Sequence, residues 1–256
     1  MIQPIWFNRW NHQSKPTRRG VVLPDIENFD MIVFDVDGTL LDSNGYQPKL
    51  IPLIRKLEDS GIKISLASGR TLPNVTPIQQ SLATSGFVIG ENGGMVWDTK
   101  EGFPIRKLAN GLRAKEAAYW LSTKIPDLDP AGIESNRWRE TEWCLNEMDN
   151  LQKIKETISD SDYSDLSVVP TGFAIHLCTP GLDKRSGLKV AFSQRDIDPS
   201  RVIAVGDAAN DIPMFQLCGF AVAVNDNDEQ VVGSADHITQ EKGTLGTIEF
   251  LEQLLR

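Results

Sequence analysis

No stretch of this 256-residue sequence approaches the roughly 20 apolar residues needed to cross a bilayer. Cysteine is scarce: Cys144, Cys178 and Cys218 are widely spaced, with no Cys-x-x-Cys pair. That excludes a disulfide scaffold and fits three reduced, partly buried thiols. Positive charge is short as well. Twenty-six Lys and Arg face 35 Asp and Glu, for a net charge of −9. Broad binding to nucleic acid or an acidic membrane is thereby disfavoured, and an anionic substrate must be captured by local cations. No Gly-x-Gly-x-x-Gly follows an apolar run, which argues against a nucleotide-binding oxidoreductase. Residues 1–29 lack the apolar segment of a secretory signal. They carry Trp6, Trp10, Arg9, Lys15, Arg18 and Arg19, and read either as a partner-contacting arm or as a lightly docked terminus. The expectation is a cytoplasmic protein, monomeric or homodimeric.

What is present instead is a series of short apolar runs, each ending in small or polar residues. Runs 31–36, 62–67, 87–89, 202–205 and 221–224 lead into Asp37, Ser68-Gly69-Arg70, Gly90-Glu-Asn-Gly-Gly, Gly206-Asp207 and Asn225-Asp226. Such runs suit strands buried on both faces of a parallel sheet. Between them Leu50, Ile54 and Leu57 mark a helix, with Gly61 a plausible C′ residue. Leu188, Ala191 and Phe192 mark a second, and Ile248, Leu251 and Leu255 a third. The alternation predicts a doubly wound, Rossmann-like α/β core, which binds ligands beyond the carboxyl ends of its strands. All the polar clusters fall there.

The middle of the chain has a different pattern. A hairpin over residues 95–108 is expected, then a helix near 112–124 and a strand over 137–145 with Trp143 and Leu145 on one face. Leu151, Ile154 and Ile158 mark a further helix, followed by a hairpin of 167–169 and 173–178. These one-sided strands predict a separate α+β module, 93–181, inserted between core segments 30–92 and 182–256.

Asp35 and Asp37 are the most informative residues. In extended backbone, i and i+2 point to one side, so both carboxylates can face one pocket. Two such anions need a cation or a shared proton. The pair suits a magnesium site in which one carboxylate attacks phosphorus and its neighbour moves protons. Taken alone, Asp-x-Asp also fits a surface loop or a metal–nucleotide site of a glycosyltransferase. Asp207 adds a carboxylate from a second strand end, and magnesium favours such oxygen donors. Asp211 could bind through water or order Asn210, and either residue could simply cap a helix. Ser68, Gly69 and Arg70 offer a hydroxyl and backbone N–H groups to a phosphoryl oxygen, or form an ordinary turn. Lys184, opening a helix, is either a charge in the same pocket or a solvated lysine.

In order and spacing, Asp35-Val-Asp37-Gly-Thr-Leu, Ser68-Gly-Arg, Lys184 and Gly206-Asp207-x-x-Asn210-Asp211 resemble the haloacid dehalogenase superfamily. The insertion looks like its C2-type cap. Gly90-Glu-Asn-Gly-Gly94, Asn136-Arg-Trp-Arg-Glu140, Gly172-Phe-Ala-Ile-His-Leu177 and Asp211-Ile-Pro-Met-Phe-Gln-Leu217 are similar to the archaeal-type phosphoglycolate phosphatases, near the sucrose-phosphatase-like and Cof-type sugar phosphatases. The resemblance implies Mg2+-dependent hydrolysis of a small phosphorylated substrate through an aspartyl-phosphate. In that scheme Asp35 is the nucleophile and Asp37 the proton carrier. Ser68, Gly69, Lys184 and Asn210 hold the substrate, while Asp35, the Asp37 carbonyl, Asp207 and Asp211 hold the metal. It equally admits a sugar-phosphate phosphatase or a phosphomutase, and a catalytically retired binding module is the reading from another class.

Specificity is then expected from the module. Arg137 and Arg139 offer planar forks for a substrate carboxylate, against the alternative of a solvated face paired with Glu140 or Glu142. His176 points opposite to Ile175 and Leu177, toward either the cleft or solvent. Trp138 and Trp143 are expected to pack rather than to bind substrate.

Overall fold

The computed structural model describes residues 23–100, 102–224 and 227–256. The aromatic-basic segment of residues 1–22 and the dipeptide after Val224 lie outside them. One eight-stranded sheet organises the larger part. Its strands are β1 (Met31–Phe34), β2 (Lys63–Ala67), β3 (Phe87–Gly90), β4 (Met95–Asp98), β5 (Arg106–Lys107), β9 (Val202–Gly206), β10 (Phe220–Ala223) and β11 (His237–Ile238). They lie in the order β11-β10-β9-β1-β2-β3-β4-β5. All pairings are parallel except β3 with β4 and β4 with β5.

Alternation along the strands builds two apolar layers. Ile32, Phe34, Ile203 and Val205 face α1 (Leu50–Asp59), α2 (Leu72–Leu82) and α8 (Gly243–Leu254). Met31, Val33, Val202 and Ala204 face α5 (Lys184–Arg195), α6 (Ile212–Leu217) and α7 (Glu229–Ser234). The result is the doubly wound α/β core expected from the runs. Among the described residues no helix is long and apolar enough to cross a membrane.

Register is what places the chemistry. Phe34 pairs with Val205 on one side and Leu66 on the other. Residues one or two positions past these, Asp35, Asp207 and Ser68, therefore emerge at the same level on the same edge of the sheet.

The smaller part is an antiparallel sheet of β6 (Glu142–Asn146), β8 (Ala174–Cys178) and β7 (Ser167–Pro170), in that order. One face is covered by α3 (Leu112–Ser122) and α4 (Leu151–Ser159), with its own core of Leu121, Leu145, Ile154, Ile175 and Leu177.

Three local features differ from expectation. The hairpin at 95–108 continues the large sheet through β3 rather than opening the inserted module. Antiparallel edge strands carry the same one-sided pattern as strands of a separate module, so alternation cannot tell them apart. The expected strand at 137–145 is shortened: Glu134–Trp138 is a 3-10 helix and only Glu142–Asn146 is strand. Buried Asn136 causes this by donating to the Ala131 and Cys144 carbonyls at 2.8 and 2.7 Å and accepting from the Cys144 N–H at 3.0 Å. Finally, α2 has no counterpart among the expected helices. Pro73 and Pro77 disguise it, although Pro73 sits in the first turn, where no N–H partner is needed.

Candidate active site

The strand ends converge on a cavity of about 570 Å3. Asp35, Asp37, Gly69, Arg70, Asp207 and Asn210 line it from the core, and Ser135, Arg139, Thr171 and Phe173 from the small module. Asp35 is buried, its backbone N–H donating to the Val205 carbonyl at 2.9 Å. Beneath it lies fully buried Lys184, whose ammonium bonds Asp35 at 2.5 Å and Asp211 at 2.6 Å. Asp183 caps the helix that Lys184 opens, in a reciprocal pair with Ser186, which fixes where the lysine starts. Burial opposes the lysine's charge, yet Asp211 and Asp35 outweigh it and raise its pKa.

Two glycines make room for the acids. Gly38 has φ +81°, and a Cβ there would stand 2.3 Å from an Asp207 oxygen. A Cβ on Gly206 would stand 2.4 Å from Asp211. Asp211 uses one oxygen for Lys184 and the other to accept the Asp207 and Ala208 N–H groups at 2.9 and 3.1 Å. It therefore braces the loop that presents Asp207.

Three carboxylates, those of Asp35, Asp207 and Asp211, approach within 4.8 Å of one another and face one ammonium. Burial, opposed by Lys184 but reinforced by Asp211 and Asp207, raises the Asp35 pKa well above the usual range. Burial and Asp211 push Asp207 up to about 7, against Lys184 and the Thr39 hydroxyl. An all-oxygen cluster with more negative charge than its own cation balances is a fitting site for a hard divalent ion such as Mg2+.

Asp37 is held by Arg70 in a two-pronged ion pair, Nε at 2.8 Å and Nη2 at 2.6 Å. Ser68 is fully buried, and its hydroxyl accepts from the Arg70 N–H at 3.1 Å. Gly69 and Arg70, rather than Ser68, face the cavity. Asn210 lines it too and donates to Asn92 at 3.3 Å.

The small module contributes one buried cation. The Arg139 side chain is fully buried in an ion pair with Glu142, and its Nη1 also donates to the Gly69 carbonyl at 3.1 Å. Its Nε and Nη2 are buried with no hydrogen-bond partner.

Residues 32–127 and 113–251 match the family of haloacid dehalogenase-like hydrolases. The chain belongs to that family. A phosphoglycolate phosphatase of Haloarcula marismortui is 33% identical over 225 residues, covering 85% of this chain and 94% of the relative. One of Methanococcoides burtonii is 29% identical, covering 88% and 96%. The fold is also that of Thermoplasma acidophilum 0175, with a TM-score of 0.78 at 23% identity, 89% of this chain and 98% of that one.

Within this hydrolase, Asp35, Asp37, Gly69, Asp207, Asn210 and Arg139 share the cavity, and Ser68, Lys184 and Asp211 are buried against the residues that line it. Arg137 does not join them. It is exposed, paired with Glu134 at 2.6 Å and set over the Trp138 ring at 5.4 Å. The 3-10 turn is the reason, since Arg137 and Arg139 no longer share one face of a strand. Trp138 is 45% exposed and belongs to none of the apolar clusters of the described residues, whereas Trp143 joins the module's core and donates to the Pro130 carbonyl at 2.9 Å. His176 faces neither cleft nor solvent and is fully buried. Sequence reasoning missed Ser135 and Thr171, which lie in none of the quoted segments, the place of Phe173 in the cavity wall, and the Arg70–Asp37 pair. Arg70 directly follows Ser68-Gly69, so its nearness to the other clusters was a usable signal.

Proposed function

We propose that this hydrolase is a magnesium-dependent phosphatase that cleaves a small carboxylated phosphate monoester, 2-phosphoglycolate foremost, through an aspartyl-phosphate on Asp35. The observation that carries the reading is Arg139. Buried N–H groups without partners are costly, and two of them lie on the guanidinium of Arg139, a residue that lines the same cavity as Asp35. A substrate carboxylate would satisfy both at once. Relatives named phosphoglycolate phosphatase support the choice. Volume does not make it, since about 570 Å3 accommodates hexose phosphates as readily.

In the chemistry proposed, the Asp35 carboxylate attacks phosphorus as the ester oxygen departs. Asp37 gives that oxygen its proton, then takes one from the water that cleaves the Asp35–phosphorus bond. Because Arg70 grips Asp37 through both oxygens, the incoming ester must share or displace that contact. Lys184 holds Asp35 in position and offsets its charge, and the Gly69 N–H at the cavity wall would donate to a phosphoryl oxygen. Magnesium held by Asp35 and Asp207 would neutralise the repulsion between carboxylate and phosphate.

Phosphate release from 2-phosphoglycolate and from hexose phosphates, with and without Mg2+, tests the reading. Selective, metal-dependent release from phosphoglycolate is expected. If phosphoglycolate ranks among the poorest substrates, the substrate assignment fails. Isomerisation without phosphate release would mark a mutase instead.

A further inference from the structure

Arg139 and the 171–173 loop form the part of the cavity wall that faces the catalytic acids from the small module. Both are tied to one residue that does not itself reach the cavity. His176, fully buried in β8, has its Nδ1 3.0 Å from a Glu142 oxygen, the same oxygen that pairs with Arg139. Its Nε2 lies 3.1 Å from the Thr171 hydroxyl oxygen. Its ring meets Phe173 edge-on, with centroids 5.4 Å apart.

Hydrogen bookkeeping gives these contacts direction. The Thr171 hydroxyl is 3.2 Å from the Ala174 carbonyl, to which it must donate. It therefore accepts from the His176 Nε2–H. On the other side Nδ1 meets Glu142, the Asn92 amide at 3.2 Å and the Cys144 sulfur at 3.2 Å. Burial disfavours the Glu142 charge, but His176 and Arg139 outweigh it and hold the carboxyl below its usual range. Glu142 and the Gly69 carbonyl then engage Arg139 Nη1, which leaves Nε and Nη2 without a hydrogen-bond partner.

Glu142, Cys144 and His176 lie close enough to hold a metal, but two observations oppose it. Arg139 already neutralises the carboxylate, and burial, with Glu142 nearby, raises the Cys144 thiol pKa well above its usual value. The cluster serves its neighbours instead.

We infer that His176 is a positioning residue for substrate selectivity, coupling the Arg139 guanidinium to the 171–173 loop so that both meet the carboxylate end of the substrate together. Resting on the phosphoglycolate reading, this assigns selectivity to a side chain that never touches substrate. Without the ring, Glu142 and Arg139 could shift independently of Thr171, and a fork misplaced by a fraction of an ångström loses its two-pronged contact.

The experiment compares kcat and KM for 2-phosphoglycolate with those for 2-hydroxyethyl phosphate, which replaces the carboxylate by a hydroxymethyl group. Wild type should prefer the acid. His176→Phe keeps the packing on Phe173 and removes both polar links, and should lower that preference on the order of tenfold, mainly through KM. His176→Asn, whose amide can reach the Nδ1 position beside Glu142 but not Thr171, breaks the coupling as well and should recover little of it. If His176→Phe does not fold, His176→Gln, which keeps only the link toward Thr171, stands in with the same expected loss. A wild-type preference retained by the Phe or Gln variant overturns the coupling. So does a parallel loss of kcat on both substrates, which marks a purely structural role. If wild type itself shows no preference for the acid, the substrate reading has failed, and the coupling falls with it.

Discussion

The two parts of the molecule each bury an ionic cluster, and their charge balances differ. In the core, Asp35, Asp207 and Asp211 crowd a single ammonium, that of Lys184. In the small module, Glu142 is the carboxylate that engages both Arg139 and His176. Buried charge is tolerated when it is paired, so the core is left asking for a cation, while the module, whose Arg139 and Glu142 balance, is left with two guanidinium N–H groups asking for an acceptor. A phosphorylated acid with a magnesium ion supplies both. The difference suits the division of labour in the proposed function, in which the core would carry the reaction and the module would read the far end of the substrate.

Breaking the core should have the largest effect. Asp35→Asn removes the proposed nucleophile with little change in shape, and phosphate release should fall on the order of 10,000-fold or more while the circular dichroism spectrum is preserved. Substantial residual turnover would exclude Asp35 as the nucleophile. Lys184→Met leaves Asp35 and Asp211 buried without their partner. A stability loss of about 3–5 kcal/mol is expected in denaturant melts, along with lost activity.

On the module side the effect should fall mainly on recognition. Arg139→Ala should raise KM for 2-phosphoglycolate by roughly 10- to 100-fold, with a smaller change in kcat. An equal loss in kcat and KM would erase the division between the two parts.

Acid–base linkage offers a milder contrast. Asp207 keeps a proton in the metal-free fold up to about pH 7, against 3.8 as the ordinary value. Its contribution to stability is therefore complete below 3.8 and is lost as pH rises through 7, and buried Asp35 adds in the same sense. Thermal melts in chelator should show this decline. Added Mg2+ should raise Tm more at pH 8 than at pH 5, because metal and protons compete for the same carboxylates. A pH-independent Mg2+ effect would remove the core acids from the metal site. The smallest expected effect is that of Arg137→Ala. Exposed and paired only along its own turn, it should change stability by no more than about 0.5 kcal/mol and leave the KM for phosphoglycolate at wild-type level.

The core was largely legible because its signals are local. Each acid follows its apolar run directly, and parallel pairing at matched register carries local order into a shared site. Lys184 was legible only through its company, since nothing near it in sequence marks it as buried. The module was harder to read for the converse reason. Arg137 and Arg139 look equivalent in sequence, yet Asn136 folds the chain into a turn that sends one into solvent and the other under the cavity. Alternation told which face His176 occupies but not that Glu142 and Thr171 would enclose it, because those contacts depend on strand pairing. Pro73 and Pro77 hid α2, where the cost of a helical proline is relieved by its place in the first turn or outweighed by burial of Val75, Ile78 and Leu82.

One feature of the large sheet bears on association with other chains. Both of its edge strands, β5 and β11, are two residues long, and β5 consists of exposed Arg106 and Lys107. An edge so short offers few free backbone groups to a foreign strand, and its charge makes joining another copy unfavourable. The hairpin that extends the sheet thus also terminates it, guarding against end-to-end aggregation.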